Sequence, residues 1–276
     1  MEKERIDQLL VEKGLFESRT KAQSAILAGI IYVDDKRVDK AGHSVPKEAK
    51  IEIKGEKLPY VSRGGLKLEH ALKEFKVEAK GLVVLDVGSS TGGFTDCVLS
   101  KGASHVYAID VGYGQLAWKL RNDPRVTVVE RTNARNLRPE ELYKKKWETG
   151  DGRRERAGLA VIDVSFISLS KILPAVYDLL NDQGEVVALV KPQFEAGREQ
   201  VEKGGLVRNE GVQAQVLDNV ASASRKLGFK LAGVTYSPIK GADGNIEFFV
   251  HLGKIGEDRK FDASEIVKDA HEKLNG

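Results

Sequence analysis

A glycine-rich turn near the middle of the chain is the segment best suited to binding a small molecule. It follows the apolar run Leu85–Val87 and has the spacing Gly-x-x-x-Gly-Gly from Gly88 to Gly93. Glycines let a backbone approach a ligand closely, and the free amides at the start of a following helix face that ligand. The spacing differs from the dinucleotide fingerprint, and Phe94 stands where a phosphate-binding loop has its lysine. NAD and ATP are therefore disfavoured as ligands.

An acidic residue closes the next apolar run. Asp110 ends the segment that begins at His105, and a carboxylate there can accept hydrogen bonds from both hydroxyls of a ribose. The glycine-rich turn and this acid together predict a binding site for S-adenosylmethionine. The alternative is that the glycines serve only a strand-to-helix turn, that Asp110 caps a strand end and that Asn133 caps a later turn. The predicted cofactor-binding residues are Gly88, Ser89, Ser90, Thr91, Gly92, Gly93, Phe94, Asp110, Asn133 and Ala134.

Four short motifs follow one another in a fixed order along the chain. They are Ser62-Arg63-Gly64-Gly65-Leu66-Lys67-Leu68, Ala160-Val161-Ile162-Asp163, Leu189-Val190-Lys191-Pro192-Gln193-Phe194 and Asn245-Ile246-Glu247-Phe248. Together they resemble the FtsJ-type ribose 2′-O-methyltransferases, whose signature is a Lys-Asp-Lys-Glu tetrad. The resemblance implies Lys67, Asp163, Lys191 and Glu247 as catalytic residues. The family usually has Pro-Asn after its aspartate, whereas Val164–Ser168 stands here, so the acceptor pocket is expected to differ in shape.

A ribose hydroxyl is a poor nucleophile at neutral pH, so a base must take its proton as it attacks a sulfonium methyl. We assign this role to Lys191 and expect its pKa to be lowered by burial and by the like charge of Lys67. Asp163 and Glu247 would orient the two lysines. Taken singly, each lysine is better explained as a solvated surface cation, and Glu247 as a charge that protects a sheet edge. Taken as a set, the four residues favour the catalytic interpretation.

Other methyl acceptors are disfavoured by what the sequence lacks. No Asn/Asp-Pro-Pro-Tyr/Phe motif, typical of methylation at base amino groups, is present. Cys97 is the single cysteine, and its place after the glycine turn predicts a packed helix residue rather than the thiol nucleophile of a cytosine C5 enzyme. One cysteine also leaves no disulfide framework or cysteine-rich metal site and fits a reducing cytosol.

The alternation of apolar runs with helical spacing after residue 82 predicts the fold. Seven strand-like runs begin with Leu82–Val87 and end with Glu247–Leu252, and helical patterns fill most gaps between them. Such a pattern is typical of an α/β, Rossmann-like, doubly wound and mostly parallel sheet, with ligands at the carboxyl ends of its strands. A terminal helix is expected within residues 255–276.

The first sixty residues have a different pattern, which predicts two short helices followed by short strands. Arg5–Leu10, Ser18-Arg19, Ala22 and Ile26–Asp34 resemble the S-four fold, a small α+β RNA-binding module. We predict domains at 1–58 and 64–276, joined by a linker at 59–63. The module is nearly balanced in charge, so RNA phosphates would have to meet one face. The candidate phosphate contacts are Arg5, Arg19, Lys21, Lys36 and Arg37, with a second basic stretch at Lys144–Lys146 and Arg153–Arg156.

An S-four-like module linked to an FtsJ-like domain is the architecture of the TlyA family, and the resemblance covers essentially the whole chain. It implies methyl transfer from S-adenosylmethionine to a ribose of ribosomal RNA, with ribosomal RNA or ribosomal subunits as partners. The linker Pro59–Arg63 would couple RNA docking to cofactor binding.

Two rival functions stay open from the sequence. The TlyA family was historically called hemolysins, but no apolar run is long enough to span a membrane and no long basic amphipathic helix is evident. A non-catalytic RNA-binding or ribosome-assembly protein would keep the cofactor fold without needing all four tetrad residues.

The net charge of +3 neither requires nor excludes a polyanionic partner. A cytoplasmic protein without a metal site is expected, and the oligomeric state is left open.

Overall fold

The computed structural model describes residues 2–16, 18–27, 29–38, 40–54, 59–143 and 156–275. The chain divides into two compact units, Met1–Leu66 and Lys67–Gly276. The division falls inside a helix, Gly64–Phe75, so residues 59–63 of the predicted linker count with the first unit.

Two short helices and five short strands form the described part of the N-terminal unit. Helix α1 (Ile6–Glu12) contacts α2 (Arg19–Leu27). The Ser18 hydroxyl accepts a hydrogen bond from the Lys21 amide at 3.3 Å and so caps the start of α2. The strands are β1 (Lys3–Arg5), β2 (Ile31–Val33), β3 (Lys36–Arg37), β4 (Ser44–Pro46) and β5 (Ile51–Ile53). Strand β2 pairs antiparallel with β3 and β5, while β1 pairs with β4. The β1–β4 pair was not predicted because its charged residues lack an apolar alternation.

The larger unit is built around a seven-stranded sheet. Its strands are β6 (Val83–Val87), β7 (His105–Ile109), β8 (Val126–Val129), β9 (Ala157–Ile162), β10 (Leu180–Val190), β11 (Lys230–Tyr236) and β12 (Phe248–Gly253). Their spatial order is β11-β12-β10-β9-β6-β7-β8. Strand β12 runs antiparallel to both neighbours, and the other pairings are parallel. The predicted mostly parallel Rossmann-like α/β sheet is confirmed.

Helices cover the faces of this sheet. They are α3 (Gly64–Phe75), α4 (Gly93–Ser100), α5 (Trp118–Arg121), α6 (Pro139–Leu142), α7 (Leu173–Leu179), α8 (Pro192–Glu195), α9 (Glu210–Lys226) and α10 (Ala263–Asn275). Helices α9 and α10 contact each other and β11. Among the described residues, no helix combines the length and the apolar character that crossing a bilayer requires.

The strand order places the candidate site. The chain moves from β6 outward to β7 and β8 and then returns to β9 on the other side of β6, which opens a crevice at the carboxyl ends of these strands. Phe248 of the antiparallel β12 lies opposite Val190, the last residue of β10. Lys191 and Glu247, one residue beyond each, therefore meet at the same sheet edge as Asp163.

Candidate active site

The glycine turn after β6 depends on glycine at its first position. Gly88 has φ +85°, and a Cβ there would lie 2.4 Å from the backbone oxygen of Asp163. Gly92 has φ +94°, and a Cβ there would collide with the side chain of Leu120. The turn is thus packed directly against the end of β9, which carries a predicted catalytic residue.

Asp110 holds the turn through both carboxylate oxygens. Its Oδ2 accepts a hydrogen bond from the Ser90 amide and its Oδ1 accepts one from the Gly112 amide, each at 2.7 Å. An ionised carboxylate has about four acceptor positions, so acceptor capacity is left for ribose hydroxyls. The strand-end capping role and the ligand role are therefore compatible.

A cavity of about 420 Å³ lies between the ends of β6, β7 and β9. Five of the predicted cofactor-binding residues line it, namely Gly88, Ser90, Asp110, Asn133 and Ala134. Asn133 also caps a turn, since its Oδ1 accepts a hydrogen bond from the Arg135 amide at 3.1 Å. The volume falls in the range of small-molecule sites, and the wall combines Asp110 with the apolar Val111 and Ile172. This donor set fits a nucleoside.

The other five predicted cofactor residues do not line this cavity. They are Ser89, Thr91, Gly92, Gly93 and Phe94. Phe94 is buried, with its ring centroid 6.3 Å from that of Phe249. Cys97 in the same helix is fully buried, which confirms the prediction of a packed residue.

The four predicted catalytic side chains form two ion pairs. Lys67 Nζ lies 2.5 Å from Glu247 Oε2, and Lys191 Nζ lies 2.6 Å from Asp163 Oδ1. All four are largely buried, the most exposed being Asp163 at 25% of its side chain. Lys191 Nζ also donates a hydrogen bond to the Ser165 hydroxyl at 3.0 Å. Asp163 lines the cavity as well, so the pair with Lys191 adjoins the cofactor space.

The predicted lowering of the Lys191 pKa is wrong. Burial does lower it, but the negative charges of Asp163, Glu247 and Asp243 and the interaction with the Asp163 side chain outweigh burial and raise the pKa of Lys191 above the ordinary lysine value. The like charge of Lys67 is matched by Glu247 at 2.5 Å. In the free protein Lys191 is therefore an ammonium ion at neutral pH.

The direction in which the Lys191 pKa is shifted can be measured in the free protein by NMR with ¹³C-labelled lysine. We expect the Lys191 side chain to titrate above the ordinary value of 10.5. Asp163→Asn should lower the pKa, because it removes the carboxylate 2.6 Å from Nζ. Asp269→Asn, on the exposed side of α10, is the control and should leave the Lys191 signal unchanged. A wild-type Lys191 that titrates below the ordinary value would contradict the charge balance described here.

Phe166 is an aromatic residue that the sequence did not single out as functional. Its side chain is 89% exposed at the cavity mouth, its φ is +64°, and its ring centroid lies 4.9 Å from that of Phe194. A bulky residue at positive φ is strained, and such strain concentrates at functional positions. The sequence signal was the Val164–Ser168 segment, where the family usually has Pro-Asn.

Glu195 fixes the segment that follows Asp163. The Ser168 hydroxyl donates to Glu195 Oε2 at 2.6 Å, and the Leu169 amide donates to Oε1 at 2.7 Å. Burial raises the pKa of Glu195, although these hydrogen bonds oppose the shift. Because Glu195 lies on α8, directly after Lys191, it ties the segments of two catalytic candidates together.

In the N-terminal unit, two predicted RNA contacts also have an internal partner. Arg5 Nε lies 3.0 Å and Arg19 Nη2 lies 2.9 Å from the carboxylate of Asp7, which is completely buried. Burial alone would raise the pKa of Asp7, but hydrogen bonds from Arg5, Gln23 and Arg19 hold it well below its usual range. Both arginines remain about half exposed, and Lys21, Lys36 and Arg37 are exposed.

Of the second basic stretch, Arg156 lies in the described part of the chain. Its guanidinium donates to the Asp178 carbonyl at 3.3 Å. Lys144–Lys146, Arg153 and Arg154 lie outside the described residues.

A seven-stranded sheet with one antiparallel strand, a glycine turn after β6 and a carboxylate after β7 that holds this turn are together typical of an S-adenosylmethionine-dependent methyltransferase. Family comparison gives the finer class. The FtsJ-like methyltransferase family matches residues 60–254, and the S4 domain matches residues 4–51. The chain belongs to the FtsJ-like methyltransferases and carries an S4 domain at its N-terminus.

Relatives cover the chain from end to end. The 16S/23S rRNA (cytidine-2′-O)-methyltransferase TlyA of Mycobacterium tuberculosis is 41% identical over 272 residues, 98% of this chain and 97% of that protein. Hemolysin A of Brachyspira hyodysenteriae is 43% identical over 248 residues, 90% of this chain and 99% of that protein. The structure of a candidate hemolysin from Streptococcus thermophilus matches with a TM-score of 0.76 and 45% identity, covering 99% of this chain and 97% of that one. The resemblance to the TlyA family is confirmed.

Proposed function

We propose that the protein transfers the methyl group of S-adenosylmethionine to a ribose 2′-hydroxyl of ribosomal RNA, with a cytidine as the target and ribosomal subunits in the cytoplasm as partners. The observation that carries the proposal is the double role of Asp163, which lines the nucleoside-sized cavity and pairs with Lys191 at 2.6 Å. The side chains that would act on the ribose hydroxyl therefore lie next to the cavity that would hold S-adenosylmethionine. The name of the Mycobacterium tuberculosis relative supports the choice of ribose and of cytidine.

The chemistry of the site follows from its charges. Bound S-adenosylmethionine supplies a methyl carbon made electrophilic by its sulfonium. Lys191, held by Asp163 and Ser165, donates a hydrogen bond to the ribose oxygen and stabilises the negative charge that builds there. The hydroxyl proton would pass to water, or to a Lys191 side chain that has already lost its own proton, as the new oxygen–carbon bond forms and the carbon–sulfur bond of the donor breaks. Lys67 and Glu247 hold the neighbouring wall of the acceptor site.

The raised pKa of Lys191 changes the role first assigned to it. An ammonium ion cannot accept a proton, so Lys191 acts on the hydroxyl through its charge until it has itself lost a proton. Positioning of the hydroxyl in line with the methyl carbon then supplies much of the rate. This role still requires the Lys191 side chain in place.

Phe166 is proposed to support the base of the target nucleotide. Enzymes that must reach one nucleotide of a folded RNA take it out of its stack, and exposed aromatic rings then carry the base. We expect Phe166→Ala to raise KM for ribosomal subunits about tenfold, since base stacking contributes about 1–3 kcal/mol. Steady-state methylation at saturating S-adenosylmethionine measures this.

A tyrosine at this position, Phe166→Tyr, should restore the KM because it keeps the ring. An unchanged KM in Phe166→Ala would show that the ring does not contact RNA.

The proposed coupling through Pro59–Arg63 is supported by one contact. Tyr60 is buried, and a Cβ on Gly65 would lie 2.3 Å from its ring. Gly65 belongs to α3, the helix that also carries Lys67. A shift of Tyr60 would therefore be transmitted along α3 toward Lys67.

The proposed function is tested by incubating the pure protein with S-adenosylmethionine and unmethylated small and large ribosomal subunits, then digesting the RNA to nucleosides for mass spectrometry. We expect 2′-O-methylcytidine in the RNA of one or both subunits. A cytidine methylated on its base would contradict the ribose assignment. RNA without any new methyl group would contradict the ribosomal substrate.

A further inference from the structure

A second cavity of about 540 Å³ lies beside the tetrad and has no role in the reaction described above. It is bounded by the first turns of α9, the last turn of α10 and the loop 237–247 that ends at Glu247. Asp243, in this loop, is one of the three acids that raise the pKa of Lys191. The cavity is therefore within electrostatic reach of the reacting centre and on the same edge of the sheet.

Its wall holds a chain of hydrogen bonds whose directions can be assigned. Lys240 Nζ donates to Asn275 Oδ1 at 2.5 Å, and Asn275 Nδ2 lies 3.1 Å from His271 Nδ1. His271 Nε2 lies 2.8 Å from Gln213 Oε1, and Gln213 Nε2 donates to the Val207 carbonyl at 2.7 Å. Every link is satisfied when His271 carries its proton on Nε2. The wall is thus a set of fixed amide and ring groups.

The charge of the wall excludes a phosphate as the main ligand. Two cations, Arg208 and Lys240, are balanced by two acids, Glu210 and Asp243, whereas a phosphate site needs an excess of positive charge. Apolar patches from Leu206 and Ile246 complete the lining. A neutral, flat ligand with donors and acceptors on its edge and an apolar face matches this wall, and those are the properties of a nucleobase.

We propose that this cavity binds a nucleobase of the RNA strand adjacent to the target nucleotide. The inference rests on the proposed function. Ile246 of the cavity wall directly precedes Glu247, which lies at the same sheet edge as Lys191, so the cavity is within reach of an RNA strand whose ribose is at Lys191. Arg208, Glu210 and Asp243 at the rim are exposed, so an extruded base can enter from solvent. The site would fix the register of the strand, and its loss would weaken RNA binding rather than chemistry.

The kinetic test compares Asn275→Ala and Lys240→Met with the wild type on ribosomal subunits. We expect KM for the subunits to rise about tenfold, equivalent to one good contact, with kcat and S-adenosylmethionine affinity unchanged. Asn219→Ala, which removes an exposed asparagine of α9 away from the cavity, is the matched control and should leave KM unchanged. Active variants with a wild-type KM would overturn the nucleobase site while the proposed function stands. A wild type that methylates no subunit would overturn both.

A binding test on the full chain separates base from phosphate without using activity. The cofactor cavity is first saturated with S-adenosylhomocysteine, and cytidine 5′-monophosphate or ribose 5-phosphate is then titrated while the amide signals of Asn275 and His271 are followed by NMR. We expect the nucleotide, but not the sugar phosphate, to shift these signals, and Asn275→Ala to abolish the response. Equal shifts with both compounds, or none with either, would overturn the proposal. Cross-linking of the cavity to a ribosomal protein in place of RNA would overturn it as well.

Discussion

Replacing Lys191 with alanine should lower kcat for RNA methylation by about 10²–10³-fold, the range lost when one positioned group that stabilises developing negative charge is removed. The variant removes the cation that the structure holds between Asp163 and Ser165 at the cavity edge. S-adenosylmethionine affinity should be retained, because Lys191 does not line the cofactor cavity. Single-turnover methylation at saturating donor, together with calorimetric titration of the donor, separates the two effects.

The matched control for this variant is Lys171→Ala. Lys171 is an exposed lysine on a short turn at the same edge of the sheet, and its loss should leave kcat unchanged. An alanine variant at Lys191 that keeps more than about a tenth of the wild-type kcat would contradict the role proposed for it.

Gly88→Ala should reduce S-adenosylmethionine affinity by about 100-fold or more, equivalent to about 2.7 kcal/mol. The new methyl group would meet the Asp163 backbone oxygen at 2.4 Å, and backbone atoms at the end of a central strand cannot move aside. The turn would have to shift, and with it the Ser90 amide that binds Asp110. Equilibrium titration with S-adenosylmethionine measures the loss directly.

Gly81→Ala is a close control for this clash. Gly81 has a similar φ of +76°, against +85° at Gly88, but a Cβ there meets nothing within 4 Å. Gly81→Ala therefore has the same backbone strain from a positive φ as Gly88→Ala, but its new methyl group collides with no other atom. We expect Gly81→Ala to lower the free energy of unfolding slightly and to bind the donor normally. Equal loss of donor affinity in both variants would mean that backbone strain, and not contact with Asp163, controls the turn.

Much of the fold could be predicted because the relevant signals are local. The apolar run of each strand and the glycine turn are contiguous segments, and alternation of strands with helices defines a parallel sheet. Even the position of Glu247 follows once β12 is known to be antiparallel. The first residue of β12 then lies beside the last residue of β10, and Glu247 directly precedes β12. The N-terminal β1–β4 pair was missed because β1 consists of three charged residues in a row, which carry no strand signal.

The electrostatics of the site could not be predicted in the same way. The sign of the Lys191 pKa shift depends on the charges of Asp163, Asp243 and Glu247. These acids are far from Lys191 in sequence and come close to it only when the strands of the sheet pair. The same is true of Glu195, whose partners Ser168 and Leu169 follow a different strand. The buried Asp7 between Arg5 and Arg19 shows that a cation predicted to contact RNA can also pair with an acid of its own domain.

The measurement that tests the central claim most directly follows a labelled methyl group to one oxygen atom. Wild type and Lys191→Ala are each incubated with tritium-labelled S-adenosylmethionine and ribosomal subunits, and the RNA is then hydrolysed in alkali, which cannot cleave a linkage whose 2′-oxygen is methylated. We expect label in alkali-resistant dinucleotides for the wild type, and little or none for Lys191→Ala. Label released in mononucleotides, or equal label with both proteins, would contradict it.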